Sequence, residues 1–322
     1  MIQLANELKN KKSVAIAGHI RPDGDCIGSC IGLYLYIKEN FPQLEELKVY
    51  LEEFPECFYC LEGTQEVTHS CEAEKEYDLF IALDAGDTGR LGDAVKYLNT
   101  AKDSICIDHH ISNKGYAARN YIVPTASSTS ELIYGILDSQ KVTKEIAAAL
   151  YLGIAHDTGV FHYSCTSSET MRIAGKLLET GIAFSELLDR TFYEKTYLQN
   201  QIMGRTLLES MLLLEGQCIV SALKQKEMQF YNVNPLDLDG IASQLRNTKG
   251  VEVAIFLYET ATQEFKVSMR SGGSVDVGKV AVYFGGGGHI CASGCSMQGS
   301  FHDVVNNLTY HIEKQLLQQE ME

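Results

Sequence analysis

Three features are missing from this 322-residue sequence, and each absence narrows the class of protein. No apolar run approaches the ~20 residues that a membrane span needs. The opening residues, MIQLANELKN, lack the basic and then apolar pattern of a signal peptide. Internal repeats and low-complexity segments are also missing. We therefore expect a cytoplasmic globular protein with no membrane association, and its length suggests about two domains.

Positive charge is also scarce. Lysine and arginine number 27 against 42 aspartates and glutamates, which gives a net charge of −15. This balance argues against a broad basic surface that would track long nucleic acid. A small anionic substrate remains compatible with it, because a few local cations can reverse the sign at one site.

The ten cysteines are scattered along the chain, so we expect reduced thiols rather than disulfides. The stretch CFYCLEGTQEVTHSC places Cys57, Cys60, His69 and Cys71 at a spacing that superficially resembles a structural zinc site. The alternative is a helix that begins after Pro55 and carries the first two cysteines on one apolar face. We favour the helix.

Short apolar runs alternate with helical patterns in the first half of the chain. Residues 13–18, 78–83 and 104–107 are apolar, rich in β-branched side chains and bounded by polar residues, which predicts buried strands. Residues 28–39 and 90–98 have helical patterns. This alternation predicts the α/β class, with a doubly wound and mostly parallel sheet. Ligands bind beyond the carboxyl ends of the strands in such sheets.

The pattern changes in the second half. Residues 190–214 are helical and moderately polar, and the runs CIVSAL, VEVAIFLYE and EFKVSMR that follow predict further strands. A glycine run, GGGGH, and a C-terminal helix complete the chain. We therefore predict a larger α/β domain over 1–190, a helical linker over 191–214 and a smaller α/β domain over 215–322.

Metal-binding side chains cluster at the ends of the predicted strands. The stretch GHIRPDGDCIGS holds His19, Asp23 and Asp25 within seven residues. Asp84 and His109 follow the next two predicted strands, and a helical pattern over 144–155 leads to Asp157. Any one of these acids, taken alone, is best interpreted as a residue that caps a helix or forms a turn. Four segments that deliver ligands to matching strand ends favour a metal site instead.

The number and type of these ligands indicate two cations. Four carboxylates and two divalent cations sum to zero charge, which makes an otherwise repulsive cluster tolerable. Mixed imidazole and carboxylate ligands suit Mn²⁺ better than Mg²⁺ or Ca²⁺, while Fe²⁺, Co²⁺ and Zn²⁺ stay open. Two cations about 4 Å apart would hold a bridging hydroxide and polarise phosphoryl oxygens, which is a common route to phosphoester hydrolysis.

These motifs resemble those of the DHH phosphoesterases, a family named for the triplet present here as Asp108-His109-His110. The first family motif appears as His19, Asp23 and Asp25, followed by Gly28-Ser29; the second appears as Asp84 in ALDAGD, and the fourth as Asp157 in HDTGVF. The tail FGGGGHICASG is similar to the glycine–histidine motif of the associated C-terminal domain, DHHA1. The resemblance covers nearly the whole chain, with the motifs in family order.

The resemblance implies a role for each of these residues. One metal would be bound by His19, Asp23 and Asp84, and the other by Asp25, Asp84, His109 and Asp157. His110 would point at the substrate phosphate, and Asp108 would orient the histidines; with Asp84 they form the expected catalytic set. The substrate end would be gripped across an interdomain cleft by Arg270, Ser271, Gly286, Gly287, Gly288 and His289. Without the resemblance, the glycine run would read as a flexible turn.

Length and motifs limit the subfamilies that the chain can resemble. Exonucleases of the RecJ type are larger and carry an additional nucleic-acid-binding domain, and family II pyrophosphatases carry an Arg-Lys-Lys signature that is missing here. The best resemblance is to the nano-RNase and pAp phosphatase group. It implies a Mn²⁺ enzyme, expected to be a homodimer, that degrades short RNA oligonucleotides and dephosphorylates 3′-phosphoadenosine 5′-phosphate (pAp). A hydrolase of linear or cyclic signalling dinucleotides and a non-catalytic nucleotide-sensing module stay open.

Two further segments lie close to these motifs. Ser128 and Glu131 form a capping box that opens an apolar helix, although the start of that helix could also assist phosphate binding. His156 and His162 flank Asp157, and we expect them to have packing or supporting roles rather than to bind metal.

Overall fold

The computed structural model describes residues 2–319. The chain divides into two compact units, Met1–Glu194 and Lys195–Glu322. Within the described residues, no helix is both long and apolar enough to cross a membrane. All ten cysteines lie in this part of the chain, and none of them forms a disulfide, as predicted.

The first unit is built on a six-stranded sheet. Its strands are β1 (Ser13–Ala17), β2 (Glu46–Tyr50), β3 (Val67–Thr68), β4 (Leu79–Leu83), β5 (Ser104–Asp108) and β6 (Arg119–Ile122). Their order is β3-β2-β1-β4-β5-β6, and every neighbouring pair is parallel. The predicted parallel sheet is confirmed, with β1, β4 and β5 at the expected positions and adjacent to one another.

Helices cover both faces of this sheet. They are α1 (Leu4–Leu8), α2 (Gly24–Asn40), α3 (Val95–Thr100), α4 (Thr129–Ile136), α5 (Lys144–Asp157), α6 (Ser168–Leu178) and α7 (Phe184–Leu188). Val14 and Ile16 of β1 pack into a core with α2, α4 and α5. Ala15 and Ala17 point into a second core beside α3. Successive residues of β1 thus pack into cores on opposite faces of the sheet, as a doubly wound sheet requires.

Two predicted helix boundaries differ from the structure. Helix α2 begins at Gly24 rather than at 28, because the Asp23 carboxylate caps it by accepting from two backbone amides. The pattern over 90–98 is divided between a 3₁₀ segment, Thr88–Ala94, and α3. Gly92 has a φ of 53° there, in the left-handed region, which interrupts a regular helix.

The second unit contains a mixed sheet. Its strands are β7 (Met211–Leu213), β8 (Cys218–Leu223), β9 (Val253–Ala261), β10 (Glu264–Ser271), β11 (Gly287–Gly288) and β12 (Ala292–Gln298), in the order β11-β12-β10-β9-β8-β7. Only β8 and β9 are parallel among these described strands. Its helices are α8 (Tyr197–Leu208), α9 (Gln225–Tyr231), α10 (Ile241–Arg246), α11 (Val277–Tyr283) and α12 (Phe301–Gln319).

The stretch 190–214 is not the continuous helix that its pattern suggests. It holds most of a π-helical turn at Asp189–Tyr193, then α8, then the edge strand β7. Ile202 of α8 is fully buried in a core of the second unit. The other face of the same sheet packs against α11 and α12.

Candidate metal centre

Three adjacent strands bring metal-binding side chains together at their carboxyl ends. His19 follows β1, Asp84 follows β4 and His109 follows β5. The His19 Nε2 atom lies 3.5 Å from an oxygen of Asp23 and 3.5 Å from Asp84 Oδ2. The His109 Nε2 atom lies 3.1 Å from Asp157 Oδ2 and 3.6 Å from Asp84 Oδ1. The two oxygens of Asp84 therefore face two different histidines, which is the arrangement of a bridging carboxylate.

The starts of two helices hold the acids of the first motif. Asp23 Oδ1 caps α2 by accepting from the amides of Asp25 and Cys26, at 3.2 and 3.1 Å. Asp25 is fully buried, and its oxygens accept from the amides of Thr129 and Ser130, at 2.6 and 2.9 Å. The N-terminus of α4 thus stabilises a carboxylate of this chain through its amides and dipole.

The capping residues of α4 agree only in part with the sequence pattern. Ser128 Oγ accepts from the Glu131 amide at 3.0 Å, as predicted. The Glu131 carboxylate instead accepts from the hydroxyls of Ser127 and Thr170, at 2.5 and 2.6 Å. It thereby ties the start of α4 to α6.

Asp84 has an unusual backbone. Its φ is 56°, in the left-handed region that non-glycine residues seldom adopt, and its side chain is almost fully buried. Its amide donates to Ile107 O at 3.1 Å, and the Thr129 hydroxyl donates to Oδ1 at 2.9 Å. Backbone strain of this kind clusters at functional sites, where the surrounding contacts over-determine it.

Asp108 organises the triplet that follows β5. It is fully buried, and Oδ1 accepts from the His109 and His110 amides and from His110 Nδ1, the last at 2.7 Å. Its Oδ2 accepts from Asn113 Nδ2 at 2.6 Å. The carboxylate therefore contacts both histidines, and the sequence reasoning missed Asn113, which lies outside the triplet Asp108-His109-His110.

The histidine of the first motif is also fixed in orientation. His19 Nδ1 lies 2.9 Å from the Ile20 carbonyl and donates to it. Its Nε2 is then the nitrogen that faces Asp23 and Asp84, which is the orientation a metal ligand needs. The Cys26 sulfur accepts from the His19 amide at 3.2 Å.

Burial and crowding alter the protonation of the acids. Burial, together with the charges of Asp84 and Asp157, raises the pKa of Asp25 well above its ordinary value. Burial also raises the pKa of Asp157, although His109 opposes the shift. Acids this close together cannot all ionise without compensating positive charge.

The two metal-site histidines compensate by holding protons. Burial disfavours the charged His19 ring, yet the Cys26 sulfur and the carboxylates of Asp23 and Asp84 raise its pKa to about 12. Burial likewise opposes the charged form of His109, but its hydrogen bond to Asp157 and the charge of Asp25 raise the pKa to about 10. Divalent cations at the same positions would replace these protons.

The donor atoms are close enough to hold cations. Three groups have ligand atoms that all lie within 4.8 Å of one another: Asp25 with His109 and Asp157, Asp84 with His109 and His110, and His19 with Cys26 and Asp84. Nitrogen and carboxylate oxygen dominate, so the set fits two first-row divalent cations that share Asp84. Cys26 is an addition that the sequence pattern did not reveal.

The proposed zinc residues do not come together. Among residues 2–319, no group of potential metal ligands includes Cys57, Cys60 or Cys71. The ring nitrogens of His69 lie 3.1 Å from the Leu51 carbonyl and 3.3 Å from the Tyr59 hydroxyl. The structure therefore gives the zinc alternative no support, and the predicted helix after Pro55 is a short 3₁₀ turn, Glu56–Cys60.

The substrate residues predicted in the second unit lie along neighbouring strands. Arg270, near the end of β10, pairs with Ala292 of β12, and the amide of His289 donates to Ala292 O at 2.7 Å. Gly288 pairs with Ser293 on the other edge of β12. Arg270, His289 and the glycine run therefore lie around one end of β12.

Two glycines of this run are required by packing. A Cβ on Gly286 would lie 2.2 Å from Gly294 O, and a Cβ on Gly288 would lie 2.5 Å from Ala292 O. A Cβ on Gly287 would meet no atom of the described residues within 4 Å apart from its two chain neighbours. The buried Ser271 hydroxyl donates to Glu252 at 3.1 Å and accepts from the Gly273 amide, so it shapes the following loop. Its contact with substrate stays a prediction.

Comparison with known proteins assigns the family. Residues 13–154 match the DHH family, N-terminal domain, and residues 215–317 match the DHHA1 domain. A Thermus thermophilus protein named bifunctional oligoribonuclease and PAP phosphatase NrnA is 30% identical over 89% of this chain and 84% of its own length. The chain belongs to the DHH family. A Streptococcus mutans protein named probable bifunctional oligoribonuclease and PAP phosphatase NrnA is also 30% identical, over 97% of each chain.

Structural comparison agrees with this assignment. The crystal structure of an exopolyphosphatase-related protein from Bacteroides fragilis has a TM-score of 0.90 at 25% identity, over 98% of this chain and 96% of that chain. The predicted family and α/β fold class are thus confirmed, and this DHH protein is a hydrolytic enzyme.

Proposed function

We propose that this DHH protein hydrolyses short oligoribonucleotides to mononucleotides and dephosphorylates pAp to AMP, with two Mn²⁺ ions. Relatives named as bifunctional oligoribonuclease and PAP phosphatase align with most of the chain. The observation that carries the proposal is Asp84, whose two buried oxygens lie 3.5 and 3.6 Å from two different histidines. A carboxylate shared in this way serves two cations at once.

Each cation would have its own set of ligands. His19, Asp23 and Asp84 would hold one, and Asp25, Asp84, His109 and Asp157 would hold the other. Bound there, the cations would activate a water molecule and neutralise charge on the phosphoryl oxygens. The mixed nitrogen and oxygen donors favour Mn²⁺.

His110 would bind the substrate phosphate. Burial works against its charged form, but the hydrogen bond to Asp108 raises the pKa of His110 above its ordinary value. Burial likewise opposes ionisation of Asp108, whose pKa is nevertheless lowered, first by His110 and then by Asn113. The hydrogen bond to Asp108 thus favours the protonated form of His110, which would donate to a phosphate oxygen.

The second unit would hold the far end of the substrate. Arg270 makes no ion pair with an acid among the residues that the structure describes. Its guanidinium matches phosphate geometry, and His289 adds a second donor nearby. With a net charge of −15, the chain suits substrates that carry one or two phosphates better than long strands.

A substrate panel tests the proposal. Purified protein with Mn²⁺ is given pAp, linear and cyclic dinucleotides, and labelled RNA of two, five and about 24 residues, the last exceeding one single-strand site. We expect rapid cleavage of the shortest RNAs and of pAp, fading with length and lost with a chelator.

Three results would contradict the proposal. Cleavage of signalling dinucleotides alone would assign a different substrate class. Tight nucleotide binding without hydrolysis would indicate a sensing module. Equal rates on the longest RNA would reject the preference for short substrates.

A further inference from the structure

His156 connects the metal ligands to the last segment of the first unit. It precedes the ligand Asp157 at the end of α5. A Cβ placed on Gly24 would lie 2.3 to 2.5 Å from atoms of the His156 ring and its Cβ. The imidazole therefore packs directly on the backbone between the two acids of the first motif. Any side chain larger than that of glycine at position 24 would overlap the His156 imidazole.

The other side of the ring is anchored. His156 Nε2 lies 3.1 Å from the Thr191 hydroxyl, which itself donates to the Leu187 carbonyl at 2.8 Å. Because the hydroxyl proton is already used, Thr191 accepts and His156 Nε2 donates. The aromatic rings of Phe58 and Phe192 each lie with their centroids 5.4 Å from the imidazole. These contacts hold the ring from three directions.

Thr191 lies in an irregular part of the backbone. Residues Asp189–Tyr193 form one π-helical turn, which widens the helix that α7 begins. Such turns are rare and often occur at functional sites. This one is followed at once by Glu194, the last residue of the first unit. The contact that holds His156 therefore comes from the segment that leads into the second unit.

We infer that His156 is a positioning residue, which sets the loop of Asp23 and Asp25 and the end of α5 against the Asp189–Tyr193 turn through Thr191. This inference rests on the metal centre of the proposed function. A ligand constellation must be held within about 0.5 Å by supporting contacts, and His156 braces ligands from two separate segments. Loss of its anchor should weaken metal binding even though neither His156 nor Thr191 is a ligand.

Variants of Thr191 separate positioning from simple packing. Thr191→Val keeps the shape of the side chain but removes the acceptor for His156, and Thr191→Ser restores a hydroxyl. His156→Phe keeps a ring against Gly24 and removes the donor. Thr180→Val is the matched control, because Thr180 is also half-buried and donates from its hydroxyl to a carbonyl one turn back, Leu177, at 2.7 Å.

The measurement is Mn²⁺ affinity of the full-length protein by electron paramagnetic resonance, with Tm recorded in a chelator. We expect Thr191→Val and His156→Phe to raise the Kd of at least one Mn²⁺ site about tenfold, the lower limit for changes around metal ligands. Thr191→Ser and Thr180→Val should bind Mn²⁺ like the wild type.

The outcomes distinguish this inference from the proposed function. Wild-type Mn²⁺ affinity in both Thr191→Val and His156→Phe overturns the positioning role alone. A weakening in Thr180→Val as large as in Thr191→Val, with equal losses of Tm, also overturns it, since general destabilisation would then explain both. A wild-type protein that binds no Mn²⁺ overturns the inference together with the metal centre on which it depends.

Discussion

The two units use the ends of their strands in opposite ways. In the first unit, three parallel strands place buried ionisable side chains at one edge, among them His19 and Asp84. In the second, the predicted substrate residues surround a hairpin, and the exposed Gly287–Gly288 strand offers backbone rather than side chains. In a parallel sheet the carboxyl ends of neighbouring strands lie at the same edge, so the charged residues that follow them come together there. In an antiparallel pair the carboxyl ends lie at opposite edges.

Under the proposed function, this difference would separate the chemistry of the first unit from substrate recognition by the second. Buried acids with raised pKa values are costly unless cations neutralise them, so the first site is suited to binding metal. A glycine-rich hairpin beside an arginine carries no such cost, and it suits an anion that is bound and released. Substitutions in either unit test this comparison, and we expect those at the metal centre to have the largest effects on activity.

The largest effect should come from Asp84→Asn. Asparagine tolerates the left-handed backbone of this position, so the substitution removes the charge that faces both histidines without adding strain. We expect kcat/KM for pAp and di-RNA to fall at least about a thousandfold, because both cations lose their shared ligand.

Asp87→Asn is the control for that loss. Among the described residues, Asp87 Oδ1 accepts hydrogen bonds from the amides of Gly89 and Arg90 alone, at 2.8 and 3.2 Å, and asparagine caps equally well. Its activity should stay within about twofold of wild type. Near-normal turnover by Asp84→Asn would reject the shared-ligand mechanism.

The next effect should come from packing beneath the metal centre. A Cβ on Gly153 would lie 2.0 Å from Ser130 Oγ and 2.8 Å from Asp25 Oδ1, so Gly153→Ala forces α5 away from a buried acid. We expect a loss of about 1–3 kcal/mol in unfolding free energy, together with weaker metal binding. Urea denaturation and Mn²⁺ titration measure the two effects.

Gly175→Ala provides the opposite case. Apart from the nearby backbone of α6 itself, no atom of the described residues lies within 4 Å of a Cβ at this position, so alanine should stabilise the helix by about 0.5–1 kcal/mol. If Gly153→Ala were equally stabilising, the close contact of α5 with Asp25 would not constrain the protein.

Sequence reasoning identified the predicted metal ligands more easily than the contacts that support them. Acids and histidines at strand ends are visible because apolar runs of four to six residues precede them, and each run corresponds to one strand. Gly153 and Thr129 left no such signal, since their roles depend on which helices pack together. The helical pattern over 190–214 was misleading, because its apolar residues belong first to α8 and then to the edge strand β7. Local periodicity does not encode such tertiary choices.

A moderate effect is expected in the second unit. Arg270→Ala should raise KM for pAp about tenfold with little change in kcat, because a charge-assisted hydrogen bond to substrate is lost while the metal centre stays intact. Lys266→Ala, on the same strand but exposed and bonded only weakly to Ser296 at 3.5 Å, is the control. A fall in kcat without a rise in KM would place Arg270 in the chemistry and would remove the division of labour between the units.

The smallest effect is a pH dependence that only the first unit should show. The pKa values of His19 and His109 are raised from 6.5 to about 12 and about 10, so the metal-free folded state holds more protons than the unfolded chain between pH 6.5 and 10. The stability that these two histidines contribute is therefore fully present below pH 6.5 and is lost progressively as pH rises through this window. Mn²⁺ must displace the same protons, so its affinity rises with pH. The Tm increase on adding Mn²⁺ should thus be several degrees larger at about pH 8.5 than at about pH 6.5. An equal increase at both values would mean that the histidines are already neutral without metal, and the buried acids would then need another source of positive charge.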